Sequence, residues 1–143
     1  MKRFLSILLC TMLCISAAVG FTACGKEKVD DAAGLWANAT YQSDTALGEG
    51  SKTFSFEVKA EERSVVFTIK TDADTVGAAL LENNLVAGEM GDYGLYVKTV
   101  NGMTADYDTD GCYWAFYDNG AYATASADQT AIVDGSTYMF SCE

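Results

Sequence analysis

The clearest pattern in the sequence is a regular alternation of apolar and polar residues in two neighbouring segments. Residues 54–60 place Phe54, Phe56 and Val58 at every second position, and residues 65–70 repeat this pattern. A period of two predicts strands with one buried face. The charged residues 61–63 between the segments predict the turn of a hairpin.

The period then changes to that of a helix. Val76, Ala79 and Leu80 recur at helical spacing, the polar residues 72–75 precede them, and Asn83 and Asn84 follow. Residues able to cap a helix in front of an apolar stripe predict a short amphipathic helix here.

Further strands are predicted at residues 93–100, 112–117 and 137–142. The first two end at the Asn-Gly pairs 101–102 and 119–120, and the third follows the Asp-Gly pair 134–135. These dipeptides favour tight turns because Asn and Gly accept positive φ at low cost. A first strand is predicted over residues 35–41, followed by a Gly-rich link at 47–50. The order predicts an α+β fold, with one short helix packed across a mixed sheet.

The first residues have the pattern of a secretory signal. Lys2 and Arg3 precede the apolar run 4–19, and residues 21–25 (FTACG) resemble a bacterial lipobox in which Cys24 receives the lipid. The alternatives are an uncleaved membrane anchor and a cysteine that follows an ordinary signal by chance. We expect a signal peptide at 1–23, a lipidated tether at 24–50 that contains the first strand, and a folded domain at 51–143. The protein would then be exported and held at the outer face of the cytoplasmic membrane by its lipid alone.

Composition limits the chemistry. The 143 residues include nine Lys plus Arg, twenty Asp plus Glu and no His, which gives a formal net charge of −11. Without imidazole there is no His-based nucleophile pair and no His-ligated metal. The negative charge argues against nucleic acid as a partner. No pair of carboxylates is marked for acid–base work, so we expect a protein without catalytic activity.

Two cysteines remain in the predicted domain. Cys112 and Cys142 each stand at the end of an apolar-alternating run, and a pair in an exported domain suggests a disulfide. Two buried thiols are the alternative.

Four segments together resemble the transcobalamin-like C-terminal domain family. They are TVGAALL at 75–81, GLYVKTVNG at 94–102, YWAFYDNG at 113–120 and IVDGSTY at 132–138. The resemblance extends over residues 53–142 and lies in the order and spacing of the segments. It implies a β-grasp-like fold that binds a soluble ligand, and a corrinoid such as cobalamin as that ligand.

Aromatic residues near the predicted strands are the candidate ligand contacts. We assign this role to Tyr96, Tyr113, Trp114 and Tyr117, because Tyr and Trp combine a large contact area with a polar group. Trp114 shares a face with Phe116, so core packing is its alternative role. For Tyr113 and Tyr117 the alternative is a cross-strand pair on a solvated face.

An acidic segment suggests a metal. Asp106, Asp108 and Asp110, followed by Gly111, match the opening D-x-D-x-D-G of a calcium loop, but the twelfth position is Tyr117 rather than Glu. A solvated acidic connection is the alternative.

The sequence thus favours a non-catalytic surface lipoprotein that binds a soluble ligand, with no cofactor firmly implied. The alternative is a calcium- or metal-binding adhesion or assembly module that contacts another surface protein.

Overall fold

The protein is described here by a computed structural model, which covers residues 34–143. Cys24, the predicted signal peptide and the tether up to residue 33 lie outside the described residues. Within residues 34–143 no helix is long and apolar enough to cross a bilayer. The described residues contain nine strands, β1 Thr45–Gly48, β2 Lys52–Ala60, β3 Arg63–Thr71, β4 Val86–Gly91, β5 Gly94–Val100, β6 Met103–Thr104, β7 Trp114–Asp118, β8 Ala121–Tyr122 and β9 Thr137–Cys142. Two helices, α1 Val76–Glu82 and the single turn α2 Tyr107–Asp110, and two 3-10 turns, Gly34–Asn38 and Ala127–Gln129, complete the fold.

A six-stranded mixed sheet carries the main core. Its order is β1-β3-β2-β9-β7-β8, with β1 parallel to β3 and β2 parallel to β9. Every second side chain of β2 and β3 is buried on one face, as their alternation predicts. On that face the ring of Phe56 packs on the rings of Phe67 and Phe140, with centroids 6.0 Å and 6.1 Å away. The predicted α+β class with a mixed sheet is confirmed.

The three strands that directly follow α1 form a second sheet, of which the sequence pattern predicted only β5. It has the order β4-β5-β6, and α1 packs against β4 and the 3-10 turn Ala127–Gln129. The Thr75 hydroxyl accepts from the Ala78 N–H at 3.3 Å and caps α1, as expected of a residue in front of the helix. β4 escaped prediction because five of its six residues are exposed, so it has no alternation to recognise.

The predicted first strand at 35–41 is wrong. Residues Gly34–Asn38 form a 3-10 turn, and the first strand is β1. The reason is Trp36, whose side chain is buried and whose Nε1–H donates to the Ala60 carbonyl at 2.8 Å. This anchor at the end of β2 needs a compact turn rather than an extended segment. Residues 34–50 therefore pack as part of the fold.

Candidate functional site

A groove runs between the start of β5 and the chain that follows β8. Its outer part, the outer arm, encloses about 650 Å³ and is lined by Gly91, Asp92, Tyr93, Gly94, Leu95, Tyr96, Ala123, Thr124, Ala125, Ser126 and Gln129. A smaller depression of about 200 Å³, the inner arm, is lined by Leu95, Tyr96, Val97, Tyr113, Trp114, Phe116, Tyr122, Ala123, Ala125, Ser126, Ala127 and Phe140. The two arms share five residues, and together we call them the tyrosine groove.

The inner arm brings together three of the four predicted ligand contacts. Tyr96 comes from β5, Trp114 is the first residue of β7, and Tyr113 immediately precedes it. Tyr96 is 54% exposed, but Trp114 is only 6% exposed and its Nε1–H donates to the Met103 carbonyl at 3.2 Å. Trp114 is thus mainly a core residue that exposes one edge to the groove. Core packing, its alternative role in the sequence analysis, accounts for most of its side chain.

Tyr117, the fourth predicted contact, does not line either arm. Its hydroxyl donates to Glu143 Oε1 at 2.6 Å, and its ring meets the ring of Tyr122 edge-on at 5.5 Å. The hydrogen bond to Glu143 raises the pKa of Tyr117 above its usual value. The cross-strand pair raised as the alternative role of Tyr117 is therefore present, with Tyr122 as the partner.

Tyr122 is a wall of the inner arm that the sequence analysis did not identify. It lies on the two-residue strand β8, too short for a recognisable pattern, and is 58% exposed. Its hydroxyl lies 3.5 Å from that of Tyr113, and this contact is the main reason that the pKa of Tyr113 rises to about 12. The Tyr113 phenol therefore stays neutral near pH 7 and can donate a hydrogen bond to a ligand.

A hydrogen-bonded clasp joins the two walls of the groove. Asp128 Oδ1 accepts from the Leu95 N–H at 2.9 Å and from the Ser126 hydroxyl at 2.6 Å. Burial alone would raise the pKa of Asp128, but these bonds, with that from its own N–H, hold its pKa below the usual value. Gly94 makes the close approach possible, because at its φ of +107° a Cβ would overlap Ser126 Oγ.

The groove has an acidic character. Among residues 34–143, neither arm is lined by a lysine or an arginine, and Asp92 is the one acidic side chain on the walls. The nearest cation to it along β5, Lys98, is engaged by Glu89 at 3.4 Å. Together with the net charge of −11, these walls favour neutral or cationic ligands over anionic ones.

The acidic segment folds into the helical turn α2. Asp106 Oδ1 accepts from the Asp108 N–H and Asp110 Oδ2 accepts from the Asp106 N–H, each at 2.9 Å, and Gly111 ends the turn at a φ of +73°. Two of the three carboxylates thus bind the backbone of their own turn. Across the part of the chain that the structure describes, no three His, Cys, Asp or Glu side chains are grouped to hold a metal ion. The calcium loop stays a prediction.

Cys112 and Cys142 form a disulfide in the structure, with their Cα atoms 5.6 Å apart. The bond ties the residue before Tyr113 to the end of β9. Two backbone hydrogen bonds between Tyr113 and Glu143 continue the pairing beyond it. One end of the inner arm is therefore fixed covalently to the six-stranded sheet.

Comparison with known proteins gives a family. Residues 73–142 match the model described as "Domain of unknown function (DUF4430)", and no curated protein sequence matches the chain. Haptocorrin in complex with Cbi is one similar structure, with a TM-score of 0.49 and 15% identity over 68% of this chain and 26% of haptocorrin. This chain thus spans about a quarter of haptocorrin. Another is a "putative metal binding protein" from Ruminococcus gnavus ATCC 29149, with a TM-score of 0.61 and 35% identity over 65% of this chain and 97% of that protein. The chain belongs to the same family as this Ruminococcus gnavus protein.

Proposed function

We propose that the protein is a surface lipoprotein that binds a small soluble ligand in the tyrosine groove and carries out no catalysis. The observation that carries this proposal is the convergence on one recess of Tyr96 from β5, Tyr113 from the segment just before β7, and Tyr122 from β8. A recess with aromatic walls and a few polar groups is the usual form of a small-molecule site. The clasp between Asp128 and Leu95 sets the spacing of its walls before a ligand arrives, which lowers the entropic cost of binding.

A corrinoid is the first candidate ligand. Two of the four segments that resemble the transcobalamin-like family, 94–102 and 113–120, contribute residues to the groove, among them Leu95, Tyr96 and Tyr113. A corrinoid has a broad ring with amide side chains, which suits aromatic walls and a neutral phenol donor. Because the chain has no His, a corrinoid would be held by shape, stacking and hydrogen bonds rather than by an imidazole bound to cobalt. The signal and Cys24 support presentation of this groove outside the cell.

Calorimetric titration of the full-length protein in mild detergent tests the proposal, with cobinamide and cobalamin as ligands. We expect saturable binding, and the double variant Tyr96→Ala/Tyr113→Ala should weaken it by at least about ten-fold, because it removes two aromatic walls. Val133→Ala serves as the control, since Val133 is 60% exposed and lies outside both arms. An unchanged affinity in the double variant would place the ligand elsewhere.

A calcium-binding surface module is the second candidate function. It is favoured by the description of the Ruminococcus gnavus relative as a "putative metal binding protein" and by three nearby aspartates, Asp108 and Asp110 in α2 and Asp106 just before it. Of these, Asp108 is the one whose carboxylate accepts no hydrogen bond from the turn, so it can reach a cation without disrupting α2. Exposed carboxylates this close together repel one another, and a cation would relieve that repulsion.

Thermal unfolding with and without calcium tests this second function. If the loop binds calcium, millimolar calcium should raise the Tm by a few degrees, as expected for a ligand that binds only the folded state. Asp108→Ala should remove this rise, whereas Glu49→Ala, on the exposed link between β1 and β2, should retain it. A parent protein whose Tm does not respond to calcium would rule out the second function.

A further inference from the structure

We propose that the outer arm of the tyrosine groove binds a neutral carbohydrate, with sugar rings stacked on Tyr93 and Tyr96. This inference rests on the proposed function because it uses the same groove. It assigns a ligand class to the outer arm, which a corrinoid bound in the inner arm would leave free. The walls of the outer arm, its charge and its rigidity support it independently.

The aromatic surface of the outer arm is unusually open. Tyr93 is 89% exposed at the turn between β4 and β5, and Tyr96, three residues later on β5, is 54% exposed. Neither side chain is needed to fill the core. A phenol ring offers a flat apolar face together with a polar hydroxyl, and the C–H face of a pyranose is the complement of such a ring.

The rim of the same arm is polar. Thr124 and Gln129 are exposed on the opposite wall, and Asp92 lies beside Tyr93. A hydroxyl, an amide and a carboxylate provide both donors and acceptors. Sugar hydroxyl groups need both, because each of them donates one hydrogen bond and accepts others.

Charge selects the kind of sugar. Within residues 34–143 no lysine or arginine lines the outer arm, and Asp92 contributes a negative charge. The Lys98 ammonium lies 6.0 Å from the centroid of the Tyr96 ring, but it is already paired with Glu89 at 3.4 Å. An anionic sugar such as a uronate would therefore meet the Asp92 carboxylate without a free cation to balance it. The geometry therefore favours neutral sugars over acidic ones.

The arm is also held in shape. The clasp through Asp128 and the contact of Gly94 with Ser126 fix the β4–β5 turn against the facing loop. A shallow site needs such preorganisation, because it has little buried area with which to offset the ordering of its own walls.

The test is calorimetric titration of the full-length protein with cellotetraose, xylotetraose, maltotetraose and chitotetraose, and with tetragalacturonate as the acidic comparison. We expect at least one neutral sugar to bind with a Kd below about 1 mM, and tetragalacturonate to bind at least about ten-fold more weakly. Tyr93→Ala should weaken sugar binding by about ten-fold or more. Val133→Ala, at a side chain that is 60% exposed and lines neither arm, should leave the sugar affinity within about two-fold.

The inference is overturned if no neutral sugar binds up to about 10 mM, if Tyr93→Ala leaves the sugar affinity unchanged, or if tetragalacturonate binds as tightly. Folding is not at issue, because Tyr93 is almost fully exposed. Cobinamide in parallel titrations separates the two ideas. Cobinamide binding that is lost in Tyr113→Ala supports the proposed function even where the sugars fail, whereas sugar binding without cobinamide binding rejects the corrinoid alone.

Discussion

Replacement of Gly94 by alanine is expected to disable ligand binding in the tyrosine groove while the six-stranded sheet stays folded. Gly94 has a φ of +107°, which side chains other than hydrogen rarely accept, and an added Cβ would overlap Ser126 Oγ and lie 2.9 Å from Asp128 Oδ1. Relief of this clash must move the β4–β5 turn away from the facing loop. The same movement would break the hydrogen bond that the Leu95 N–H donates to Asp128 Oδ1. We expect ligand affinity to fall by at least about ten-fold and the free energy of unfolding to fall by about 1–2 kcal/mol.

Gly91→Ala is the matched control for this variant. Gly91 lies on the same hairpin and lines the same arm, but a Cβ there would meet only the Gly94 carbonyl oxygen, at 3.7 Å. Its effect on affinity should therefore be small. Titration of both variants, with circular dichroism to follow the sheet, checks the prediction. Equal affinities in Gly94→Ala and the parent would show that the clasp does not shape the binding site.

Local patterns predicted the elements whose own residues determine them. The β2–β3 hairpin follows from alternation, α1 from a capped apolar stripe, and β9 from an alternating run after a turn. The Asn-Gly turns are also confirmed, since Asn101 and Asn119 both have positive φ. Each of these signals lies within a short window of sequence, and the element that it predicts is present in the structure.

Elements that depend on distant partners were not predicted. β1 is a four-residue segment whose place is set by parallel pairing with β3, and β8 is a two-residue segment set by β7. The turn at Gly34–Asn38 is set by the hydrogen bond from Trp36 to Ala60. Pairing and anchoring of this kind join residues far apart in the chain, so no window of sequence contains the information.

The candidate site divides in the same way. Residue type identified Tyr96, Tyr113 and Trp114 as ligand contacts, because large aromatic residues near strand ends are typical of such sites, and the fold brings all three to one recess. Tyr117 is also a tyrosine and lies on β7 with Trp114, but it does not line the recess, because its hydroxyl donates to Glu143 instead. The clasp through Asp128 had no signal in the sequence, because it joins residues 33 positions apart.

Removal of the Cys112–Cys142 disulfide is expected to cause the largest loss of stability of the changes considered. The bond closes a loop with a sequence separation of 30, for which restriction of the unfolded chain contributes about 3–4 kcal/mol. Urea unfolding of Cys112→Ala/Cys142→Ala, compared with the parent, should show this loss as a lower midpoint. Removal of the bond could also change ligand affinity, since Cys112 directly precedes Tyr113 in the wall of the inner arm.

The same comparison separates the effect of the bond on the entropy of the unfolded chain from a local effect on the position of Tyr113. Because two backbone hydrogen bonds between Tyr113 and Glu143 remain, the double variant should keep the folded wall and bind a groove ligand with nearly the affinity of the parent at low temperature. Chemical reduction of the parent should reproduce the stability of the variant. A loss below about 1 kcal/mol would mean that the unfolded chain is already restricted without the bond. A large loss of affinity in the folded variant would instead mean that the disulfide itself positions Tyr113.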